Sequence, residues 1–279
     1  MRELSEKFFT DLKSGFLSGI TESVKADTDL NLEIRDRYIN IYYKGNSLLR
    51  LSEIGTGYKA DIHEKFSQGL DIPEIFSEST VNRFLIAIPQ LKQNIILNSK
   101  RSLEVEYEQM IIRANNFEPR NNTEYFVVDR QYAVKEGRFD LTGMFWDRHH
   151  RAKMQEVPVC LMEIKFALNS DISEVHDQLA KYYLAIEPKA AAIAAEMQKV
   201  FRQKLDLGLY HQAEDRIAAL KTLTFSPKIE QFQFILILVD YNPNSSKLDL
   251  ESIHNLPFAK QIKVFYSGFG MWQQNVKPL

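Results

Sequence analysis

The sequence predicts a mixed α/β protein with a central mixed sheet flanked by helices, preceded by an N-terminal helix and β-hairpin. Apolar residues recur at every fourth position near the start, at Phe8, Leu12, Phe16 and Ile20, as on one stripe of an amphipathic helix. Three strand-like segments follow one another between residues 125 and 166. Helical and strand-like segments alternate after them, which is typical of a sheet covered by helices.

The N-terminal region contains a predicted helix over about residues 3–24 and then a predicted β-hairpin. The segments Leu32–Tyr43 and Leu48–Leu51 have the composition of strands, and the Lys-Gly-Asn-Ser between them has the composition of a tight turn. A passage rich in loop-forming glycine and proline comes next. We therefore expect an N-terminal subdomain of residues 1–78 and a core of residues 79–279.

The core begins with a long helical region over residues 79–115, in which Pro89 and Asn98 are positions where the helix could break. Three strands are then predicted over residues 125–134, 137–146 and 157–166. Because the three strands follow one another with a turn rather than a helix between them, we expect an antiparallel meander.

The rest of the core is predicted to contain two further strands of the sheet, separated by helices. The segment Phe232–Asp240 is almost entirely apolar, which predicts a strand buried on both faces. The other predicted elements are helices at residues 173–185, 189–205, 211–220 and 248–256 and a last strand at residues 262–266.

The composition excludes several kinds of site. The 279 residues include one cysteine, Cys160, which excludes disulfides within the chain and cysteine-based zinc sites and favours a reducing, cytoplasmic compartment. The N-terminus carries charges where a signal peptide needs apolar residues, and the apolar runs are short, so no membrane partner is expected. With a net charge of −2, any nucleic-acid binding would depend on local basic patches.

An acid and a lysine lie at the end of the third predicted strand of the meander. The two-residue period of a strand places Glu163 and Lys165 on one face. The acid-x-lysine spacing alone is common, and it also occurs at Asp11 and Lys13 and at Glu187 and Lys189. Only the copy at 163 and 165 follows an apolar strand, although a strand end that simply meets water would have the same composition.

The neighbouring strand supplies a second acid. Asp140 lies between two apolar residues, and in a meander its strand pairs with the one that bears Glu163. Two carboxylates can hold Mg²⁺, and a lysine beside them can orient water and offset developing charge. On the next predicted helix, Gln178 and Tyr182 are four residues apart and share one face, from which both can reach the same site.

The ordered motifs Arg-Phe-Asp, Glu-Ile-Lys on an apolar strand, and Gln-x-x-x-Tyr on the following helix resemble the PD-(D/E)xK nuclease superfamily, particularly its RecB-like branch. The resemblance covers about residues 100–183 by motif and extends to about residue 266 by element order. Residues 1–78 are not covered, and Phe139 stands where the family name has proline. The resemblance implies a restriction-endonuclease-like core.

The same resemblance implies roles for the motif residues. Asp140 and Glu163 would bind Mg²⁺ or Mn²⁺ with the backbone carbonyl of Ile164, and Lys165 would be the catalytic lysine that assists attack by water. Gln178 and Tyr182 would contact the site or the nucleic-acid backbone. The implied activity is hydrolysis of phosphodiester bonds, with DNA the favoured substrate.

The family also places a glutamate on the helix before the meander, and three glutamates compete for that position. The predicted helix has an apolar stripe through Leu103, Tyr107, Met110 and Ala114, with Glu106 on an adjoining stripe. We select Glu106 as a further metal ligand. The two alternatives are Glu104 and Glu108.

Basic residues near the motifs are candidates for nucleic-acid binding, namely Arg113, Arg138 and Lys181. Two alternatives to an active nuclease stay open. The chain could be a catalytically silent protein of the same fold that binds nucleic acid or assembles other proteins. The N-terminal helix or the hairpin could also mediate a homodimer.

Overall fold

A computed structural model describes residues 2–99, 103–134, 137–166 and 170–272. It confirms a mixed α/β protein that contains a mixed sheet. The chain forms two compact units, the first of residues 1–123 with 196–223 and the second of residues 124–195 with 224–279. This division differs from the predicted boundary near residue 78. Within the four described ranges, no helix is both long and apolar enough to cross a membrane.

The sheet of the first unit contains five strands in chain order, each antiparallel to the next. The strands are β1 (Leu30–Ile34), β2 (Tyr38–Tyr43), β3 (Asn46–Ile54), β4 (Gly57–Asp61) and β5 (Ile75–Phe76). The prediction of one strand over Leu32–Tyr43 is wrong, because the chain turns between β1 and β2 at Arg37, whose φ is 58°. The predicted loop passage also contains β4 and β5.

The predicted hairpin turn is confirmed between β2 and β3. Lys44 and Gly45 have φ values of 45° and 74°, as expected for a two-residue turn that matches the twist of its strands. A Cβ on Gly45 would lie 1.7 Å from the side chain of Val105, so a larger residue does not fit there.

The single helix predicted over residues 3–24 is two helices, α1 (Glu6–Lys13) and α2 (Ser18–Ala26). The chain breaks at Gly15, where a Cβ would lie 2.6 Å from Oδ1 of Asp11. Glycine commonly follows a helix C-terminus. Phe8 of the predicted stripe packs against Tyr58 with ring centroids 4.6 Å apart and is 0% exposed. A dimer through α1 would therefore have to use its other faces.

The first unit also contains helices after β4 and β5 in the chain. They are α3 (Glu64–Ser67), α4 (Val81–Asn98), α5 (Leu103–Ile112) with a π-helical turn at Arg113–Phe117, the end of α7 (Ala190–Asp206), and α8 (Glu214–Leu220). Pro89 lies inside α4 without ending it, whereas Asn98 is its last residue. Residues 100–102 of the predicted helical region lie outside the described residues.

A buried ion cluster lies inside the first unit, which we call the Glu33 cluster and which consists of Glu33, Asn31, Arg35 and Lys204. Lys204 Nζ lies 2.7 Å from one carboxylate oxygen of Glu33, and Asn31 donates to the other at 2.6 Å. Arg35 is 3.7 Å away. Burial raises the pKa of Glu33, but the two cations and the hydrogen bonds outweigh it and hold the pKa below its usual value.

The sheet of the second unit has the strand order β12-β11-β9-β7-β6. Its strands are β6 (Tyr125–Val134), β7 (Gly137–Phe145), β9 (Val159–Phe166), β11 (Gln233–Val239) and β12 (Ile262–Ser267), with a small parallel pair of β8 (Glu156–Val157) and β10 (Thr224–Phe225) beside it. The predicted meander is confirmed, since β6, β7 and β9 are antiparallel neighbours. β11 pairs in parallel with both β9 and β12. Its buried, apolar character was predicted correctly.

Two helices of the second unit each follow a strand of its sheet. Helix α6 (Val175–Ile186) comes after β9, and the short helix α9 (Leu250–His254) comes between β11 and β12. Tyr183 of α6 lies against Phe234 of β11, with ring centroids 5.6 Å apart. This contact packs α6 against the sheet face that bears Phe234.

Candidate active site

Asp140 lies where the pairing of β7 with β9 ends. The last paired residues are Leu141 and Met162, and beyond them Oδ2 of Asp140 accepts a hydrogen bond from the backbone N–H of Ile164 at 2.8 Å. Beyond the last paired residues, a side-chain carboxylate therefore accepts the hydrogen bond of a β9 backbone N–H group. Asp140 is 5% exposed, so its carboxylate is held inside the unit rather than in bulk water.

Glu163 and Lys165 lie together on β9, as their spacing predicted. Lys165 Nζ is 2.9 Å from Oε1 of Glu163, and the side chains are 10% and 8% exposed respectively. A buried ion pair of this kind keeps its charges only when additional hydrogen bonds satisfy them. The pair stands one strand away from Asp140.

Helix α6 supplies that additional hydrogen bonding through Gln178. Its Nε2 donates to Oε1 of Glu163 at 2.7 Å and to the hydroxyl of Tyr182 at 2.9 Å. The Tyr182 hydroxyl in turn donates to the backbone carbonyl of Arg138 on β7 at 3.1 Å. These contacts link β7, β9 and α6, so the structure brings the five predicted catalytic residues into one region.

Tyr182 is itself held by close packing. Its ring lies 4.4 Å from that of Phe139, centroid to centroid. A Cβ on Gly137 would lie 2.8 Å from the same tyrosine ring, so glycine is needed for the strand to approach it. Burial raises the pKa of Tyr182, and the charge of Glu163 acts in the same direction, so the hydroxyl keeps its proton and can donate.

Three oxygen donors lie near the end of the β7 and β9 pairing. In a β-strand the N–H and C=O of one residue point to the same neighbouring strand. Since the N–H of Ile164 points to Asp140, the Ile164 carbonyl lies on that side too, beyond the last paired residues. Asp140, Glu163 and this carbonyl are the donors predicted for a metal ion.

The donor set suits a hard cation that keeps part of its water shell. Across the described ranges, no three histidine, cysteine, aspartate or glutamate side chains form a group that could hold a metal ion. Mg²⁺ is commonly bound by only one or two carboxylates, together with waters and substrate phosphates. The three charged side chains Asp140, Glu163 and Lys165, taken by themselves, carry one more negative than positive charge, and this negative excess favours a cation.

The glutamates of α5 belong to the first unit, and the predicted stripe on this helix is wrong. Leu103 and Met110 are each 47% exposed, whereas Glu108 is 1% exposed. Glu106 is half-buried and Glu104 is exposed. A role for Glu106 as a metal ligand stays a prediction.

The three basic residues predicted to bind nucleic acid have different surroundings. Arg113 lies 3.7 Å from Asp29 and 3.8 Å from Glu118 in the first unit, so part of its charge is already compensated. Arg138 and Lys181, in the second unit, have exposed side chains. Their role in binding stays a prediction.

One buried charged pair was not singled out from the sequence. Asp129 and Arg130 on β6 are 2% and 0% exposed, and Oδ1 of Asp129 accepts from the backbone N–H of Arg130 at 2.8 Å. Asp129 lies opposite Thr142 of β7, next to an irregularity in the strand pairing. The sequence does contain a pattern that could have indicated it, since the charged dipeptide Asp129-Arg130 directly follows the apolar run Phe126-Val-Val within a predicted strand.

Comparisons with protein-family models, with curated proteins and with solved structures find no match to this chain.

Proposed function

We propose that the chain is a metal-dependent nuclease of the PD-(D/E)xK type, which hydrolyses phosphodiester bonds of nucleic acid, DNA being the favoured substrate. The observation that supports it best is the gathering of Asp140, Glu163 and Lys165 at the end of the β7 and β9 pairing. Two buried carboxylates can bind the metal ion that hydrolysis of a phosphodiester needs, and a neighbouring lysine can stabilise the charge that develops on the phosphate.

The residues that would hold Mg²⁺ or Mn²⁺ are Asp140, Glu163 and the carbonyl of Ile164. When bound, such an ion supplies a Lewis acid that polarises the phosphate and lowers the pKa of a bound water. The residues of the chain have separate tasks. In this proposal Lys165 orients water and offsets the charge that develops on the phosphate, and the low exposure of its side chain supports a strong electrostatic effect.

Gln178 and Tyr182 act through Glu163 in this proposal. The amide of Gln178 holds the carboxylate in one orientation, and Tyr182 holds the amide. Hydrogen-bonded partners of this kind fix the geometry of metal ligands. We therefore regard both as positioning residues, while Arg138 and Lys181 are candidates for contacts with the phosphate backbone.

A reducing compartment such as the cytoplasm stays our expectation. Cys160 is fully buried, and burial raises the pKa of its thiol well above the usual value, which makes the thiol unreactive while the protein is folded.

The proposal is tested by incubating the protein with supercoiled plasmid, linear duplex and single-stranded DNA in the presence of Mg²⁺ or Mn²⁺. We expect cleavage of at least one substrate, a loss of about 10²- to 10³-fold in rate for Lys165→Met, and at least as large a loss for Asp140→Asn. Initial rates of product formation on gels give the comparison.

The matched control is Lys189→Met, which changes the lysine of the exposed Glu187-Pro-Lys189 copy of the same spacing. It should cleave like the wild type. Equal cleavage by wild type and Asp140→Asn would refute the assignment, and an absence of cleavage with every substrate and both metals would favour the silent alternative.

A further inference from the structure

A small aromatic cavity lies at the carboxyl ends of β11 and β12, in the same unit as the candidate site. We call it the aromatic cavity, and its lining includes Leu238, Tyr241, Pro243, Tyr266, Gly270 and Trp272. Its volume is about 150 Å³, well below the roughly 300–1,000 Å³ of pockets that enclose a drug-sized ligand. A single flat ring system fits this size better than a whole cofactor.

Hydrogen bonds and close packing fix the chain after β12 at one side of this cavity. Asp240 has a φ of 50°, and its Oδ1 accepts hydrogen bonds from the N–H groups of Phe269 at 2.6 Å and Gly270 at 2.7 Å. A Cβ on Gly270 would lie 2.1 Å from the ring of Trp272, so only glycine lets that ring fold back over the backbone. These features place Trp272 beside the strand ends.

Tyr266 of the cavity lining and its neighbour Phe269 are open to solvent, whereas Tyr241 of the lining is buried. Tyr266 is 58% exposed and the neighbouring Phe269 is 75% exposed. β12 is an edge strand, and four of its six residues are exposed. Exposed aromatic groups on an edge, around a cavity of one ring's size, form a surface on which another flat ring can stack.

The register of the sheet relates the aromatic cavity to the candidate site. Leu238 pairs with Lys165 on one side and with Tyr266 on the other, both in parallel. Directly paired residues of a sheet point to the same face, so Lys165 and Tyr266 share a face and are two strands apart, about 10 Å. Both lie at the carboxyl ends of parallel strands, where α/β sheets commonly bind ligands.

We propose that the aromatic cavity binds an unpaired base of a single-stranded nucleic acid whose backbone passes the Asp140, Glu163 and Lys165 site. This inference rests on the proposed function and specifies its substrate class. Stacking on Tyr266 and Trp272 suits any base, because every base has a flat face. A base within a duplex already has its faces covered by its neighbours, so the cavity selects single strands.

The test measures binding rather than cleavage, in EDTA, by anisotropy of labelled probes. The probes are a short oligothymidylate, a chain of abasic phosphodiesters of the same length, and a duplex of that length. We expect wild type to bind the oligothymidylate most tightly. Tyr266→Ala should weaken this binding by about 5- to 150-fold, the loss of one stacked base, and should leave the abasic chain unaffected.

Two further variants make the result specific. Tyr266→Phe keeps the ring and should bind like wild type. Phe265→Ala removes a partly exposed ring that alternates to the opposite face of the same strand, and it should not weaken the oligothymidylate selectively.

Equal binding of the oligothymidylate and the abasic chain by wild type would overturn the proposal, as would equal losses in Tyr266→Ala and Phe265→Ala or tighter binding of the duplex. The outcome of the cleavage assay is independent of the outcome of this binding assay. Base-dependent binding without any cleavage would refute the nuclease assignment alone, and cleavage without base-dependent binding would refute the base cavity alone.

Discussion

Each unit of this protein encloses a carboxylate paired with a lysine, yet the two clusters differ in charge and in position. The Glu33 cluster has two cations for one carboxylate and lies in the interior of its unit. The cluster of Asp140, Glu163, Lys165 and Gln178, which we call the Asp140 cluster, has two carboxylates for one cation and lies where a strand pairing ends.

The comparison shows that buried charge alone does not mark an active site. In the Glu33 cluster the protein's own cations and hydrogen bonds satisfy the acid, with Lys204 Nζ at 2.7 Å. In the Asp140 cluster the negative excess favours an external cation, and a bound cation would in turn attract an anionic substrate. The ratio of charges and the position in the sheet therefore distinguish a structural cluster from a candidate catalytic one.

The largest effect is expected in the Glu33 cluster. Glu33→Gln removes the carboxylate that lies 2.7 Å from Lys204 and 3.7 Å from Arg35, and breaking a buried pair in this way costs about 3–5 kcal/mol. Urea unfolding followed by circular dichroism should show this loss in the free energy of unfolding.

The matched control is the same acid-to-amide change at Asp140. Asp140→Asn keeps an oxygen that can accept from Ile164 and lowers the negative excess, so the free energy of unfolding should stay within about 1 kcal/mol of wild type or rise. If Asp140→Asn destabilised the protein as much as Glu33→Gln, both clusters would be structural and the distinction drawn between them would fail.

A smaller effect is expected from the residue that positions Glu163. Gln178→Leu removes the hydrogen bonds to Glu163 and Tyr182, and loss of such a partner commonly lowers metal affinity or activity by about 10- to 100-fold. The rate of DNA cleavage as a function of Mg²⁺ concentration measures it.

Leu184→Ala, at an exposed position on the same helix, controls for general changes in α6. The metal dependence of this variant should match that of wild type. An unchanged Mg²⁺ dependence in Gln178→Leu would exclude a positioning role for the glutamine.

The sequence allowed the Asp140 cluster to be predicted because each of its parts follows a local pattern. Glu163 and Lys165 follow from strand alternation, Gln178 and Tyr182 from helical spacing, and the pairing of β7 with β9 from the succession of three predicted strands. The bond from Ile164 to Asp140 did not follow, since it depends on where the two strands stop pairing.

Other features depended on contacts that no local pattern encodes. The separation of Glu33 from Lys204 is 171 residues, and no periodicity links β1 to α7. Gly15 ended a helix whose apolar spacing continued through it. The position of β11 between β9 and β12 likewise follows from packing of the whole sheet rather than from any single segment.

The smallest expected effect is the pH dependence of stability from Glu33. Its pKa is lower in the folded than in the unfolded chain, so the unfolded chain takes up the proton first as the pH falls. The contribution of Glu33 is complete above the ordinary value of 4.5 and is lost as the pH falls through the folded pKa. For one group the slope is at most about 1.4 kcal/mol per pH unit.

Urea unfolding of wild type and Glu33→Gln from about pH 6 to about pH 3 measures this slope. The stability difference between the two proteins should shrink in acid. A difference that stays constant over this range would mean that Glu33 does not titrate with folding.

The placement of Lys204 also has a consequence for the order in which the chain can fold during synthesis. Glu33 leaves the ribosome long before its partner, which comes 171 residues later, and the first unit is completed only by residues 196–223. Pairings of such long range slow folding because the intervening chain must first be ordered. The second unit is likewise completed by a late segment, residues 224–279, so a nascent chain that ends before residue 196 lacks part of both units, and its incompletely covered apolar surface is open to chaperones.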